Sequence, residues 1–369
     1  MKIKADLKDF VCWFPFGFTE ITHDRQTLCC SGWLTKDIGS SKNLKENWDS
    51  DTANEIRESV LDGSFKYCKK DTCPFLSTVI NSGVETGPIL SKKKIGLGGV
   101  NTLDEYKEKH PTLNAAETFG YPDTPRQFKV VWDATCNLAC PSCRKDFIKN
   151  SEENTTNTDE IIKDIIVHYG TGVHTMMMSG YGDPFYSTGL FNFLQTINYE
   201  QWPNLHNIHL HTNAMLWNKR NWDIIKNAHP YIKSAEISID ASNKETYEKV
   251  RRGGKWDLLL KNLEFISTLG LNEITFSFVV QKENYKEMKS FYKLIKEIFK
   301  DSSINILFYY YKILDWGVMD KVDYNEAAIW KDTHIEYNEF EKEVTEFIKI
   351  KDDSVSHSLW EYAEKNSLL

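Results

Sequence analysis

From residue 128 onward the apolar and polar positions of the chain switch repeatedly between two periods. FKVVWD (128–133) is a short apolar run and predicts a strand. TDEIIKDIIVHYG (158–170) sets apolar residues at 161, 162, 165 and 166, the stripe of an amphipathic helix, with Thr158 as its N-cap. The same switch predicts strands at 174–180, 207–213, 234–240, 273–281 and 303–312. Helices are predicted near 187–198, 218–228, 257–269 and 285–300. Strand, helix and strand in regular succession is the βαβ repeat of a parallel sheet.

The strand faces add to this. In NIHLHTN, Asn207, His209, His211 and Asn213 oppose Ile208 and Leu210. In SAEISID, Glu236, Ser238 and Asp240 oppose Ile237 and Ile239. In EITFSFVVQ, Thr275, Ser277 and Gln281 oppose Ile274, Phe276 and Phe278. A parallel sheet covered by helices on both sides is apolar on both faces. Three strands with one polar face each therefore predict a wet lumen, in preference to a sheet with one side in bulk solvent. Met176, Met177 and Met178 read as packing, and His209 and His211 as polar lining. Tyr309, Tyr310 and Tyr311 read as strand residues, of which the inward ones face substrate.

The front half has no such rhythm. Residues 76 to 126 are rich in Gly, Pro, Lys and Thr and read as a connecting loop. The stretch after 320 reads as helical and as a cap for the repeat. The chain has 369 residues with 41% hydrophobic and 27% charged positions, a composition that excludes collagen and a mainly disordered chain. Its 45 basic and 53 acidic residues leave a net charge of −8, which argues against binding nucleic acid through phosphates. Lys92-Lys93-Lys94 reads as a solvated run. The start, MKIKADLKDF, lacks a secretory apolar core, and no run approaches the ~18 apolar residues of a membrane span. The expected compartment is the cytoplasm, with no membrane partner.

In that compartment cysteines serve metals or redox chemistry rather than disulfides. All eight lie at or before Cys143. Five are Cys12, Cys29, Cys30, Cys68 and Cys73; the others form Cys136-x3-Cys140-x2-Cys143 on the loop after the first strand. Three thiolates on one loop reach three corners of one metal centre. A structural zinc site needs a fourth ligand from elsewhere, and a thioredoxin-like dithiol needs only two cysteines. A four-iron cubane held by three thiolates keeps one iron without a protein ligand.

The C-x3-C-x2-C spacing after a first strand, followed by βα repeats, resembles the radical S-adenosylmethionine (radical SAM) superfamily over about 127 to 315. The resemblance implies an α/β fold, a partial (β/α)6 barrel, with the methionine portion of SAM chelating the open iron of a [4Fe-4S] cluster on Cys136, Cys140 and Cys143. It implies SAM contacts from Ser179, Gly180, Gly182 and Asp183 of SGYGDP, where Asp183 replaces the usual Glu. It further implies His211 and Asn213 near the ribose, Ser238 and Asp240 after the fourth strand, and Arg251 or Arg252 on a carboxylate. One electron, drawn from an external reductant, splits SAM into methionine and a 5′-deoxyadenosyl radical that takes hydrogen from substrate.

Residues 1–76 resemble a SPASM type of auxiliary-cluster domain, placed ahead of the core rather than behind it. That resemblance implies a second [4Fe-4S] cluster on Cys12, Cys68 and Cys73 with Cys29 or Cys30; Cys29 is preferred because relatives place the ligand first after the hairpin. Zinc on the same four cysteines is the alternative. The expected organisation is thus 1–76 auxiliary domain, 77–126 connector, 127–315 core and 316–369 helical extension. No cysteine follows Cys143, which disfavours the epimerases that return hydrogen from a barrel cysteine. The expected substrate is a small polar molecule, a sugar derivative or a peptide; no separate leader-binding domain is visible, which tilts the expectation towards carbohydrates. The rival class is a non-catalytic metal-binding or redox-sensing protein.

Overall fold

The structure, a computed structural model, describes residues 5–70, 72–109, 124–178 and 181–359. The chain forms two compact units. One comprises Met1–Asp133, Thr156–Met178 and Asn198–His206; the other comprises Ala134–Thr155, Ser179–Ile197 and Asn207–Leu369.

The first unit contains β1 (Phe10–Cys12), β2 (Phe18–Thr22), β3 (Arg25–Thr27), β4 (Gly39–Ser40), β5 (Ile89–Ser91), β6 (Gln127–Val131) and β7 (Thr175–Met178). Its main sheet runs β7-β6-β2-β3-β4. The first strand of the βα repeat, β6, pairs in parallel with β2, Phe18 opposite Gln127. That ladder joins the front of the chain to the repeat, which is why the unit does not stop at residue 76. β1 and β5 form a separate antiparallel pair with Cys12 opposite Ile89. Around this pair Val11, Phe16, Val60, Phe65, Leu76 and Tyr106 make a local apolar core.

Two helices of this unit show how the sequence sets their ends. Helix Asp51–Leu61 starts at Ser50, whose Oγ accepts from Ala53 N at 3.2 Å. Helix Pro74–Ser82 starts at Cys73, with Pro74 in its first turn, where a missing N–H costs nothing, and stops at Gly83 in a left-handed conformation (φ 70°).

Three expectations are corrected here. The helix expected at 158–170 runs Glu152–Tyr169, so Thr158 is no N-cap; it is buried inside the helix and accepts from Trp132 Nε1 at 3.1 Å. The connector is not all loop: it holds β5 and helix Leu103–Lys109, anchored by Ile89, Leu97, Val100, Leu103 and Tyr106. Apolar anchors scattered this thinly show no period in sequence. Lys92 is not solvated but buried, its ammonium donating to Leu61 O and, at 2.8 Å, to Val100 O.

The second unit holds β8 (Asn207–Thr212), β9 (Ile232–Ser238), β10 (Glu273–Val280), β11 (Asn305–Lys312) and β12 (Val355–His357), ordered β12-β11-β10-β9-β8 with every pair parallel. Helices Lys219–Ile224, Lys244–Val250, Trp256–Ile266, Met288–Ile298 and Tyr337–Ile348 lie between or after these strands. The fold is thus α/β with a mostly parallel sheet. Ile208, Leu210, Ile237, Phe276, Phe278 and Phe308 are buried, and Phe278 meets Phe291 of the Met288–Ile298 helix with ring centroids 5.0 Å apart. The opposite, polar face is half-buried rather than bathed in solvent: His209, His211, Glu236 and Ser238 are intermediate and Ser277 is buried. The helical reading after 320 holds for Lys321–Ala327 and Tyr337–Ile348, but β12 was not foreseen; three residues carry no readable period. Among the described residues no helix is long and apolar enough to cross a membrane.

Candidate functional site

β8 and β9 deliver the site through their C-terminal ends. Both are followed by a left-handed non-glycine residue, Ala214 (φ 60°) and Asp240 (φ 64°), a conformation that surroundings must hold in place. Buried Asn262 donates to Ala214 O at 2.9 Å and Met215 O at 3.0 Å. Asn284 does the same for Asp240 O at 2.9 Å. Neither Asn was singled out in sequence; a polar residue on the apolar face of WDLLLKNLEFI was the available signal for Asn262.

The three-cysteine loop closes over these ends. Cys136 N bonds Ile148 O at 3.0 Å, Ala139 N bonds Arg252 O at 2.9 Å, and Cys143 N bonds Cys140 O at 2.9 Å. All three thiols then line one cleft, open to solvent, with Arg144, Gly182, His211, Asn213, Ser238 and Arg251. The expected residues beyond the thiols are placed as follows. Asn213 Nδ2 donates to Cys136 Sγ at 3.5 Å and Asn137 Oδ1 at 3.0 Å. His211 Nε2 lies 3.2 Å from Ser238 Oγ, which lies 2.7 Å from Ser277 Oγ. Gly182 forms part of the wall. Ser179 and Gly180 lie outside the described residues.

Asp183 and Asp240 do not line the cleft. Asp183 is buried, and its oxygens are spent on the protein: Oδ2 accepts from Thr212 Oγ1 at 2.7 Å and Asn213 N at 3.0 Å, and Oδ1 from Phe185 N at 3.0 Å. Burial raises its carboxyl against the pull of those donors. Asp240 lies 2.8 Å from Arg251, and its Oδ1 accepts from Val279 N at 2.7 Å. Burial raises its carboxyl too, opposed by the Arg251 guanidinium. Arg251 reaches Cys140 Sγ at 3.8 Å. Arg252 is not beside the cleft; it donates to Lys145 O and holds the loop.

Arg144, missed in sequence, donates to Cys143 Sγ at 3.4 Å, to Ala134 O at 2.6 Å and to Tyr181 O. Its position directly after Cys143 was the signal. Burial pushes the Cys136 thiol up to about 12 and raises Cys140 as well, the latter offset by Arg251. Buried thiols of this kind become thiolates when a metal centre supplies positive charge. Three thiols on one loop, with two guanidinium groups beside them, fit an iron–sulfur cluster.

The front unit holds the second cysteine group. Cys12, Cys29, Cys68 and Cys73 line a small apolar cavity walled by Phe14, Trp33, Phe65 and Phe75 among others. Cys30 is not among its lining residues. It receives the Lys129 ammonium at 3.8 Å, and Lys129 is paired with the buried Glu20 at 2.9 Å. All eight cysteines are free thiols. Among the described residues no group of three or more His, Cys, Asp or Glu side chains is arranged to hold a single metal ion.

Residues 133–295 match the Radical SAM superfamily model. The superfamily implies a [4Fe-4S] cluster and SAM, which the thiol set and cleft fit. The chain is 24% identical over 225 residues to a GTP 3′,8-cyclase of Alkaliphilus metalliredigens, covering 60% of this chain and 64% of that protein. It is 29% identical over 150 residues to a GTP 3′,8-cyclase of Hydrogenovibrio crunogenus, covering 40% and 44%. The chain thus spans roughly half to two thirds of the length of these relatives. Among solved structures, Streptococcus suis SuiB bound to its precursor peptide SuiA aligns with a TM-score of 0.43 at 13% identity, over 96% of this chain and 72% of that one.

Proposed function

We propose that this protein is a radical SAM enzyme that reductively cleaves S-adenosylmethionine and uses the 5′-deoxyadenosyl radical to take hydrogen from a polar substrate, a small molecule, a sugar derivative or a peptide. The observation that carries the reading is the single cleft shared by Cys136, Cys140, Cys143 and polar groups from two strand ends. When bound there, a four-iron cluster with three protein ligands supplies a site for SAM and one electron. The chain's own residues do the rest. Asn213 and Arg251 donate towards Cys136 and Cys140 and orient them. Arg144 braces Cys143 against the loop that carries Tyr181 and Gly182. Asp183 fixes the backbone of Asn213 from behind. His211 and Ser238 add polar groups to the cleft wall.

The front cavity extends the reading. Four thiols around one apolar cavity support a fully ligated auxiliary [4Fe-4S] cluster on Cys12, Cys29, Cys68 and Cys73, in a SPASM-like unit, as an electron acceptor or a structural centre. Zinc on the same thiols is the competing occupant. The electron donor is an external reductant.

Anaerobic reconstitution with iron and sulfide tests both parts. The expected content is about eight irons per chain, and reduced protein converts SAM to 5′-deoxyadenosine and methionine. Cys140→Ala removes one of three ligands and abolishes that product. Zinc in both sites with SAM left intact is the result that would reinstate a non-catalytic metal-binding protein.

A further inference from the structure

The polar face of β8 to β11 carries groups that cluster and SAM binding do not use. Glu236 on β9 stands in register with His211 on β8 and Thr275 on β10. Its side chain is 20% exposed, and its Oε1 lies 3.8 Å from His211 Nε2. His211 makes its closer contact with Ser238 instead. Among the described residues no Lys or Arg forms an ion pair with Glu236.

Two strands away, Tyr309 on β11 is in register with Ser277, which is in register with Ser238, so the three side chains share one face. Tyr311 follows on the same face, and the two rings lie tilted against each other, 4.1 Å between centroids with planes 34° apart. Tyr311 remains 37% exposed. The Glu236 charge reaches both phenols and, after burial, helps to raise them. Nearby, His209 Nδ1 lies 2.8 Å from Ser234 Oγ, and burial lowers its imidazole to about 4, so it stands neutral at pH 7 and adds no competing positive charge.

A half-buried carboxylate is stable beside a cation, and the faces of tyrosine rings attract cations. A protonated amine satisfies both at once. We propose that this face selects a substrate bearing an ammonium group, seated against Glu236, with its hydrocarbon stem along Tyr309 and Tyr311. The proposal rests on the enzymatic reading above and names its substrate class: an amino sugar, an alkylamine or a basic side chain, in place of a phosphorylated anion.

The test reads binding alone, on the full reconstituted chain without SAM or reductant. The probe is n-butylammonium, with n-butanol and butyrate as matched controls, followed by saturation-transfer NMR. Butylammonium is expected to bind, and butyrate is not. Glu236→Gln should weaken the ammonium probe by tenfold or more, with Glu236→Asp recovering part of the affinity, and Tyr311→Leu should weaken it several-fold. Equal binding of butyrate and butylammonium would overturn the proposal. So would unchanged affinity in Glu236→Gln, or displacement of the probe by inorganic phosphate. Should the parent protein fail to cleave SAM, the enzymatic reading fails by itself while the binding result stands on its own measurement.

Discussion

Asp183 offers the sharpest test of how the site is held. Its carboxylate is 1% exposed and accepts from Thr212 Oγ1, Asn213 N and Phe185 N, all on residues that are themselves buried. Asp183→Ala leaves three buried donors without their acceptor. Each orphaned donor costs about 1–3 kcal/mol, less where a hydroxyl can turn to another acceptor. Removing a buried carboxylate returns part of its desolvation cost, so a net loss of about 2–4 kcal/mol is expected. For units of this size a loss of that order lowers Tm by about 5–12 °C. Asp183→Asn keeps one acceptor oxygen but turns an amide N–H against one donor, and should fall between parent and Ala. Urea and thermal unfolding, followed by far-UV circular dichroism without SAM present, measure both. A residue serving only as a SAM ligand would leave that stability unchanged. A loss below about 1 kcal/mol in Asp183→Ala would therefore refute the positioning role.

Two further outcomes follow from the geometry. Cys29→Ser should remove about four irons per chain on reconstitution, because Cys29 lines the four-thiol cavity, whereas Cys30→Ala should retain them; equal iron loss from both would place Cys30 in the ligand set. His209 should titrate with a midpoint near 4 in histidine-resolved NMR. Its folded value lies below the ordinary 6.5 of the unfolded chain, so acid protonates the unfolded state first. The stability involved is complete above about pH 6.5 and is lost as pH falls towards 4. His209→Asn should flatten that part of the pH profile, and an unchanged profile would contradict it.

The βα repeat is legible in the sequence. Helix and strand periods are properties of a dozen neighbouring residues, so β8 to β11 and their helices could be read directly. The polar face could be read from alternation alone, since side chains in a strand point up and down in turn. The three thiols of Cys136–Cys143 were legible because their spacing confines them to one loop.

What the tertiary structure decided was the partner of each buried polar group. SGYGDP shows an acid at a strand end, but only the return of Thr212 and Asn213 beside it turns that acid inward. Cys29 and Cys30 are chemically alike and adjacent. Only the pairing of β6 with β2, which sets Lys129 against Glu20 and beside Cys30, distinguishes it from Cys29, which lines the cavity. Lys92, Thr158 and Asn262 likewise look ordinary in sequence and are committed to Leu61 O, Trp132 Nε1 and Ala214 O, all remote along the chain. A period repeats locally and is written in the residues that make it. A hydrogen bond between loops remote in the chain exists only once the sheet has set them side by side.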